Sequence, residues 1–173
     1  NAHPKIAGYP FTTLEPNLGV LQIHNRKSSD HSPTSSQGSE LRENLVIVDV
    51  PGVVEDAWEG KGIGPWFLRH LERTNTLVHV LAPSIEETTD EQTAKSISKQ
   101  LIHDYQIVRK ELEKYGHGLT LKKEIVVVNK MELVDEKLRS NIDIEFDKVI
   151  HKSLVWVSAG MGEVGALITQ LRK

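Results

Sequence analysis

The chain has 173 residues and a mass of 19.4 kDa, which is enough for one domain with a substantial core and short for two. Its 21 basic and 24 acidic residues give a net charge of -3, so it has no general attraction to nucleic acid, and any contact with RNA must be local. It contains no cysteine, which excludes disulfides, thiolate metal sites and cysteine nucleophiles, and no apolar run approaches the ~20 residues of a membrane span.

The first 17 residues are predicted to form a loop that leads into a strand. Three prolines among them disfavour helix, and each removes a backbone N–H donor. The loop holds adjacent hydroxyls at Thr12 and Thr13, which in most loops of this kind are simply exposed side chains. Leu18 to Ile23 is predicted to be the strand.

A serine-rich stretch and an aliphatic strand follow. Residues 25–44 are rich in Ser and charge and have almost no large apolar side chains, so they cannot bury enough surface to offset their ordering entropy. We interpret this stretch as a flexible insertion in a hairpin. Leu45 to Val48 is almost purely aliphatic, which is typical of a strand buried on both faces of a parallel sheet.

The segment from Ile47 to Gly64 joins the end of that strand to an acidic loop with several glycines. Asp49 ends the strand and can hold a carboxylate toward a hydrated magnesium ion. Gly52 has no Cβ, so its backbone N–H can approach a terminal phosphate. An Asp-x-Pro-Gly sequence after a strand is more often only a turn, so other motifs must decide between these interpretations.

The rest of the chain alternates predicted helices and strands. Helices are predicted at 65–74, 88–115, 133–149 and 163–171, with strands at 77–81, 124–128 and 154–157. The longest helix has apolar residues at steps of three and four, a capping box at Thr88 and Glu91, and glycines beyond its end. We interpret His79, inside a strand, as a packed core residue rather than a ligand. The alternation predicts an α/β fold with a mainly parallel sheet flanked by helices.

Polar, small or turn-forming residues follow three of the predicted strands, at Asp49 to Gly52, Asn129 to Glu132 and Ser158 to Gly160. Ligands of parallel sheets lie beyond the carboxyl ends of the strands, so we expect all three segments at one edge. Asn129 can bond a base through its amide, and the stem of Lys130 can lie over the ring. Glu132 can accept hydrogen bonds from guanine N1–H and N2–H, and the backbone N–H of Ala159 can donate to guanine O6. A carboxylate that faces two donors rejects adenine.

These motifs together resemble the G domain of the Obg family of GTPases, over nearly the whole chain. The resemblance is carried by PKIAGYPFTTLEPNLGV at 4–20, VDVPGVVEDAWEGKGIGPWFLRHLERT at 48–74, VVVNKME at 126–132 and VSAGMGEV at 157–164. The first two stretches resemble Obg proteins in particular, beyond GTPases in general. The resemblance implies a P-loop NTPase-type G domain that binds GTP or GDP with Mg²⁺. Residues 1–173 would then be a partial Obg-type G domain.

The resemblance also implies roles for individual residues. Thr13 and Gly52 are implied in catalysis, and Thr13 and Asp49 in binding Mg²⁺. The residues implied in nucleotide binding are Phe11, Thr12, Thr13, Leu14, Glu15, Asp49, Val50, Pro51, Gly52, Asn129, Lys130, Met131, Glu132, Ser158, Ala159 and Gly160.

Three features depart from the patterns of related GTPases. The family has Asp where this chain has Glu132, which sets the carboxylate one methylene further out, and we expect guanine binding to be retained with altered affinity. Val53 stands where Ras-like GTPases have a water-orienting Gln, as it does in the slowly hydrolysing Obg proteins, so we expect slow turnover that a large partner stimulates. No GxxxxGK[ST] loop occurs in the 173 residues. The family places that loop, with the first and central strand, just before the position of Asn1, so we expect this chain to be part of a longer protein.

The resemblance implies a GTPase switch that assists assembly of the large ribosomal subunit, with pre-ribosomal rRNA and ribosomal proteins as partners. The alternative is a degenerate G domain that acts as a non-hydrolysing scaffold on a ribosomal particle, which Glu132 and the absence of the phosphate loop would suit. An ATPase is disfavoured by the Asn129, Lys130 and Glu132 motif.

Lys61, Arg69 and Arg73 are candidates for contacts with RNA or protein, although charged residues of this kind more often form a solvated face. The serine-rich insertion is typical of eukaryotic proteins, and eukaryotic Obg-like proteins work on organellar ribosomes. We therefore expect an intracellular and mitochondrial location.

Overall fold

The computed structural model describes residues 17–24, 42–50, 68–84 and 90–173. In chain order the elements are β1 (Asn17–His24), β2 (Arg42–Asp49), α1 (Leu68–Glu72), β3 (Thr76–Leu81), α2 (Asp90–Tyr115), β4 (Lys123–Val128), α3 (Glu136–Ile150), β5 (Leu154–Trp156) and α4 (Gly165–Leu171). Short 3-10 turns at Leu119–Leu121 and Met131–Leu133 flank β4. The chain divides into two compact units, Asn1–Gly52 and Val53–Lys173.

Strands β1 and β2 of the first unit pair antiparallel, with Asn17 opposite Asp49 and His24 opposite Arg42. This confirms the predicted hairpin. The prediction that the aliphatic strand is buried on both faces is wrong for the described residues, since Val46 is 67% and Ile47 46% exposed. A strand is buried on both faces only where other layers cover it, and a two-stranded ribbon does not supply such layers itself.

The predicted insertion at 25–44 also ends too late. Arg42 to Asn44 belong to β2, because a ladder bonds through backbone groups and accepts polar side chains. Residues 25–41 lie outside the described part of the chain.

Strands β3, β4 and β5 of the second unit form a parallel sheet in that order. The central strand β4 is buried from Ile125 to Val128. Helices α2 and α3 cover one face, where the core cluster comprises Leu81, Ala94, Ile97, Leu101, Tyr105, Val126, Val128, Val134, Ile142 and Phe146. The residues of α4 pack on the other face against Ile125 and Val127. The predicted α/β fold with a parallel sheet flanked by helices is confirmed.

The predicted helices are present, with some shifted boundaries. α3 begins at Glu136 rather than at 133, because the Asp135 carboxylate accepts a hydrogen bond from the backbone N–H of Leu138 at 2.8 Å and caps the helix there. α4 begins at Gly165, two residues after its predicted start. Residues 65–67 of the first predicted helix and the Thr88 part of the capping box lie outside the described residues.

The apolar stripe of α2 is confirmed as core. Ala94, Ile97, Leu101, Tyr105 and Leu112 are all buried. The helix ends before Gly116, whose φ of 76° is left-handed and suits glycine. Among the described helices, none is sufficiently long and apolar to cross a membrane.

His79 is confirmed as a packed core residue. Its ring stacks on Tyr105 with 4.9 Å between ring centroids, and its Nδ1 lies 3.4 Å from Glu124 Oε1. The Glu124 side chain is only 1% exposed and also accepts the Tyr105 hydroxyl at 2.9 Å. Arg109 and Lys152 bring positive charges to 3.6 and 3.3 Å from Glu124 Oε2. A buried polar network therefore joins β3, β4, α2 and the segment before β5.

The network controls the ionisation of its own members. Burial alone would raise the pKa of Glu124, but hydrogen bonds from His79 and Tyr105 and the charges of Arg109 and Lys152 outweigh it and lower the pKa to about 2. Burial, followed by the hydrogen bond to Glu124, raises the pKa of the Tyr105 hydroxyl. Glu124 is therefore a buried carboxylate that stays ionised at neutral pH.

Candidate guanine nucleotide site

The segments that follow β4 and β5 meet at the carboxyl edge of the parallel sheet. The backbone N–H of Asn129 donates to the Leu81 carbonyl at 2.8 Å, which places it beside the end of β3. The N–H of Met131 donates to the Val157 carbonyl at 3.0 Å. The prediction that 129–132 and 158–160 share one edge is confirmed.

A hydrogen bond between two predicted base-binding groups joins these segments. The Asn129 Oδ1 accepts from the backbone N–H of Ala159 at 3.0 Å. The Nδ2 donors of Asn129 remain the atoms that suit an acceptor on a base. The Ala159 N–H must leave or share its bond to Oδ1 before it can donate to guanine O6.

Glu163, which is not among the predicted site residues, closes the segment after β5 into a loop. The backbone N–H and carbonyl of Ser158 pair with the carbonyl and N–H of Glu163 at 3.0 and 2.9 Å. Gly162 supplies the left-handed turn, with a φ of 77°. That glycine is the one signal in the sequence that could have indicated the closed loop.

Lys130 adopts a left-handed backbone conformation, with φ 64° and ψ 40°. Residues other than glycine rarely adopt this conformation, and such strain is concentrated at functional sites. The 3-10 turn Met131–Leu133 begins directly after it, and the Lys130 side chain is exposed. No sequence signal predicts this conformation for a lysine.

Glu132 and Ser158 are neighbours across the two segments. The Ser158 hydroxyl, the Glu132 backbone N–H and the charge of Lys130 lower the pKa of the Glu132 carboxyl, which is fully exposed. Ser158 Oγ is buried and has no hydrogen bond of ordinary geometry with any described residue. The two groups are thus close without a fully formed bond. An ionised carboxylate beside a buried, unbonded hydroxyl suits a ligand that carries hydrogen-bond donors.

The residues predicted to contact phosphate and metal lie in the other compact unit. Asp49 ends β2 with an exposed side chain, and Val50 is half-buried. Phe11 to Glu15, Pro51 and Gly52 are outside the described residues. Because the two units are described separately, the prediction that Asp49 shares the edge with Asn129 stays a prediction.

The metal prediction rests on Asp49 and Thr13. Within the described ranges, no three acidic or histidine side chains form a group that could hold a metal ion. A single exposed carboxylate such as Asp49 still fits Mg²⁺, which is usually bound by one or two carboxylates, waters and substrate phosphates. Thr13 lies outside the described residues.

The comparisons with known proteins agree with the fold. The family described as 50S ribosome-binding GTPase matches residues 1–130. GTPase Obg of Prochlorococcus marinus (strain MIT 9515) is 37% identical over 163 residues, which cover 94% of this chain and 41% of that protein. GTPase Obg of Microcystis aeruginosa (strain NIES-843 / IAM M-2473) is 38% identical over 173 residues, which cover 100% of this chain and 42% of that protein. The chain spans about two fifths of the length of these relatives. It belongs to the family of 50S ribosome-binding GTPases, and its resemblance to the Obg GTPases is confirmed.

Proposed function

We propose that this chain is the G domain of a GTPase switch that binds GTP and GDP with Mg²⁺, hydrolyses GTP slowly and assists assembly of the large ribosomal subunit. The observation that carries the proposal is the hydrogen bond that joins the segments after β4 and β5. The Ala159 N–H donates to Asn129 Oδ1 at 3.0 Å, and the ionised carboxylate of Glu132 lies in the same pair of segments. Family membership supports the same function.

Each residue at this edge has a distinct task in binding guanine. Glu132 accepts from the N1–H and N2–H donors of the base, and the groups that lower its pKa favour the ionised form. Asn129 donates from Nδ2 while its Oδ1 holds the loop after β5 in place. The aliphatic stem of Lys130 covers the ring. Adenine lacks the matching pair of donors and leaves the carboxylate unpaired.

Asp49 would hold Mg²⁺ through its carboxylate, together with Thr13. The ion would neutralise phosphate charge when bound. Val53 presents an aliphatic side chain where a water-orienting amide stands in Ras-like GTPases, so this chain leaves the attacking water without that hydrogen bond. Slow turnover follows, and a partner on the large subunit supplies the stimulation.

Nucleotide binding is tested by measuring GTP and ATP affinity of the full-length protein by fluorescence titration. Glu132→Ala should weaken GTP binding by about 30- to 100-fold, since it removes the charged acceptor of two guanine donors, and should leave the already weak ATP binding unchanged. Glu113→Ala, which removes an exposed carboxylate from α2, is the matched control and should have no effect. Equal GTP affinity for wild type and Glu132→Ala would contradict this assignment, and no GTP binding by wild type would favour the scaffold alternative.

The ribosomal role is tested by cosedimentation of the full-length protein with large subunits and with their precursors. Binding should require a non-hydrolysable GTP analogue rather than GDP, and large subunits should raise the GTP turnover rate by at least about tenfold. Turnover that is fast without subunits, or cosedimentation that ignores the nucleotide, would argue against the switch.

The mitochondrial location remains part of the proposal. The relatives named for this chain are bacterial proteins and give no support to it. Imaging of the tagged full-length protein against a mitochondrial marker would decide the compartment.

A further inference from the structure

The edge of the sheet at which β3, β4 and β5 begin carries a group of cations. Parallel strands that pair in register start at the same edge, and Thr76 of β3 lies opposite Lys123 of β4. Arg73 and Lys122 lie just before these strands, and Lys173 follows α4. We call Arg73, Lys122, Lys123 and Lys173 the strand-start cations.

Contacts of Lys122 and Lys123 draw this group together. Lys122 Nζ donates to the Glu72 carbonyl at 3.0 Å and to the Thr74 carbonyl, so its charge lies beside the backbone of Arg73. Lys123 Nζ donates to the Gln170 carbonyl at 3.3 Å, and the Lys173 backbone N–H donates to the same oxygen at 3.4 Å. The group therefore extends from the end of α1, across the start of β4, to the end of α4.

The carboxylates that the structure describes do not pair with these cations. Other basic side chains pair with acids, such as Lys114 with Glu111 and Lys148 with Glu145. None of the four strand-start cations forms an ion pair with a described carboxylate. The side chains of Lys122 and Lys123 donate to carbonyls, which carry no net charge.

Glu72, which precedes Arg73 in the chain, contacts two other side chains. Its Oε1 accepts the Tyr115 hydroxyl and lies 3.7 Å from His117 Nδ1. Two other acids, Glu113 and Asp147, lie in the last turns of α2 and α3 with exposed side chains. The four strand-start cations outnumber these three acids, so the edge has a local positive balance on a chain whose net charge is -3.

We infer that the strand-start cations contact the phosphate backbone of RNA. This inference rests on the proposed function, which places the protein on a particle rich in rRNA. Exposed lysines and arginines that lack acid partners fit phosphates, and they position a protein on RNA without reading sequence. The six residues of β4 separate this surface from the guanine site by about 20 Å, so both ligands can bind at once.

The test uses the full-length protein and a ~16-base-pair RNA duplex, with affinity measured by fluorescence anisotropy at several salt concentrations. Arg73→Gln with Lys123→Gln removes two exposed charges and keeps Lys122, which bonds the end of α1. Lys95→Gln with Lys99→Gln on the exposed side of α2 changes the net charge equally and is the control. Wild type and control should bind RNA with the same affinity. The Arg73 and Lys123 variant should bind RNA at least about fivefold more weakly, and the slope of its log K against log salt should be shallower by about 2.

Other outcomes would overturn the inference. No RNA binding by wild type, or equal affinity and slope in both double variants, would remove the RNA surface. If a polyglutamate peptide competes with the duplex as well as a second RNA duplex does, the surface binds acidic protein segments instead.

Two separate measurements keep this inference distinct from the proposed function. Affinity for a fluorescent GDP analogue should be unchanged in both double variants, which shows that they are folded. A second result would be that wild type fails to cosediment with large subunits while the Arg73 and Lys123 variant still shows an altered salt slope for RNA binding. That result would refute the ribosomal role but would still support RNA binding by the strand-start cations.

Discussion

Replacing Glu124 by Gln tests the buried network beneath α2. Gln keeps the size of the side chain and an acceptor for the Tyr105 hydroxyl, but it removes the negative charge. Arg109 and Lys152, whose side chains are 21% and 37% exposed, then lie beside a neutral group. We expect a loss of stability at neutral pH, because two partly buried cations lose the charge that compensates them.

The magnitude follows from the pKa of the carboxyl. An ordinary glutamate has a pKa of 4.5, and Glu124 has a pKa of about 2 in the folded protein. This difference corresponds to about 3 kcal/mol of stability, at ~1.36 kcal/mol for each pH unit. The contribution is fully present above pH 4.5 and is lost as the pH falls toward 2. By the same relation, about 2 kcal/mol should remain at pH 3.5.

The assay is urea unfolding of wild type and Glu124→Gln, followed by tryptophan fluorescence, at pH 7 and at pH 3.5. The difference in unfolding free energy should be about 3 kcal/mol at pH 7 and smaller by about a third at pH 3.5. Comparing the two proteins at each pH removes the acid sensitivity that they share. A difference below about 1 kcal/mol at pH 7, or one that grows as the pH falls, would refute the reasoning.

Three further predictions concern other groups. Asp135→Ala removes the cap of α3 and should lower the urea-unfolding free energy by about 1 kcal/mol, with exposed Glu113→Ala as the unaffected control. Burial raises the pKa of Asp143, so its ionised form costs stability as the pH rises. Asp143→Asn keeps an acceptor for the Trp156 N–H and should therefore be at least as stable as wild type at pH 7; a clearly lower melting temperature would contradict this. Because the pKa of Glu132 is lowered, the ratio of GTP to ATP affinity should stay constant from about pH 8 to about pH 5, and a decline of this ratio near pH 6 would assign the selection of guanine to another group.

The elements of the fold that carry strong local patterns could be predicted from the sequence. The stripe from Ala94 to Leu112 and the aliphatic run at Ile125 to Val128 predicted a buried helix and a buried strand, and both are buried in the structure. The Asn-Lys-x-Glu segment at 129–132 was predicted to follow a strand, and it follows β4. Local periodicity and turn chemistry act over a few residues and are therefore visible in one sequence.

Features that depend on neighbouring layers could not be predicted in this way. Leu45 to Val48 has the composition of a buried strand, yet Val46 and Ile47 are exposed, because burial depends on which layers cover a strand. The start of α3 depends on one hydrogen bond that the Asp135 carboxylate accepts from the Leu138 N–H, and this bond competes with the apolar pattern that begins earlier.

The sequence by itself determined the α/β class, the order of the elements and the residue types suited to guanine, since these follow from periodicity and side-chain chemistry. Only the tertiary structure decided that Asn129 and Ala159 pair with each other, that Lys130 is left-handed and that the strand-start cations gather on one edge. The first and third of these features bring together residues that are distant in the chain. The second depends on a positive φ angle, which residues other than glycine rarely adopt. They follow from the packing of parallel strands rather than from any local stretch of residues.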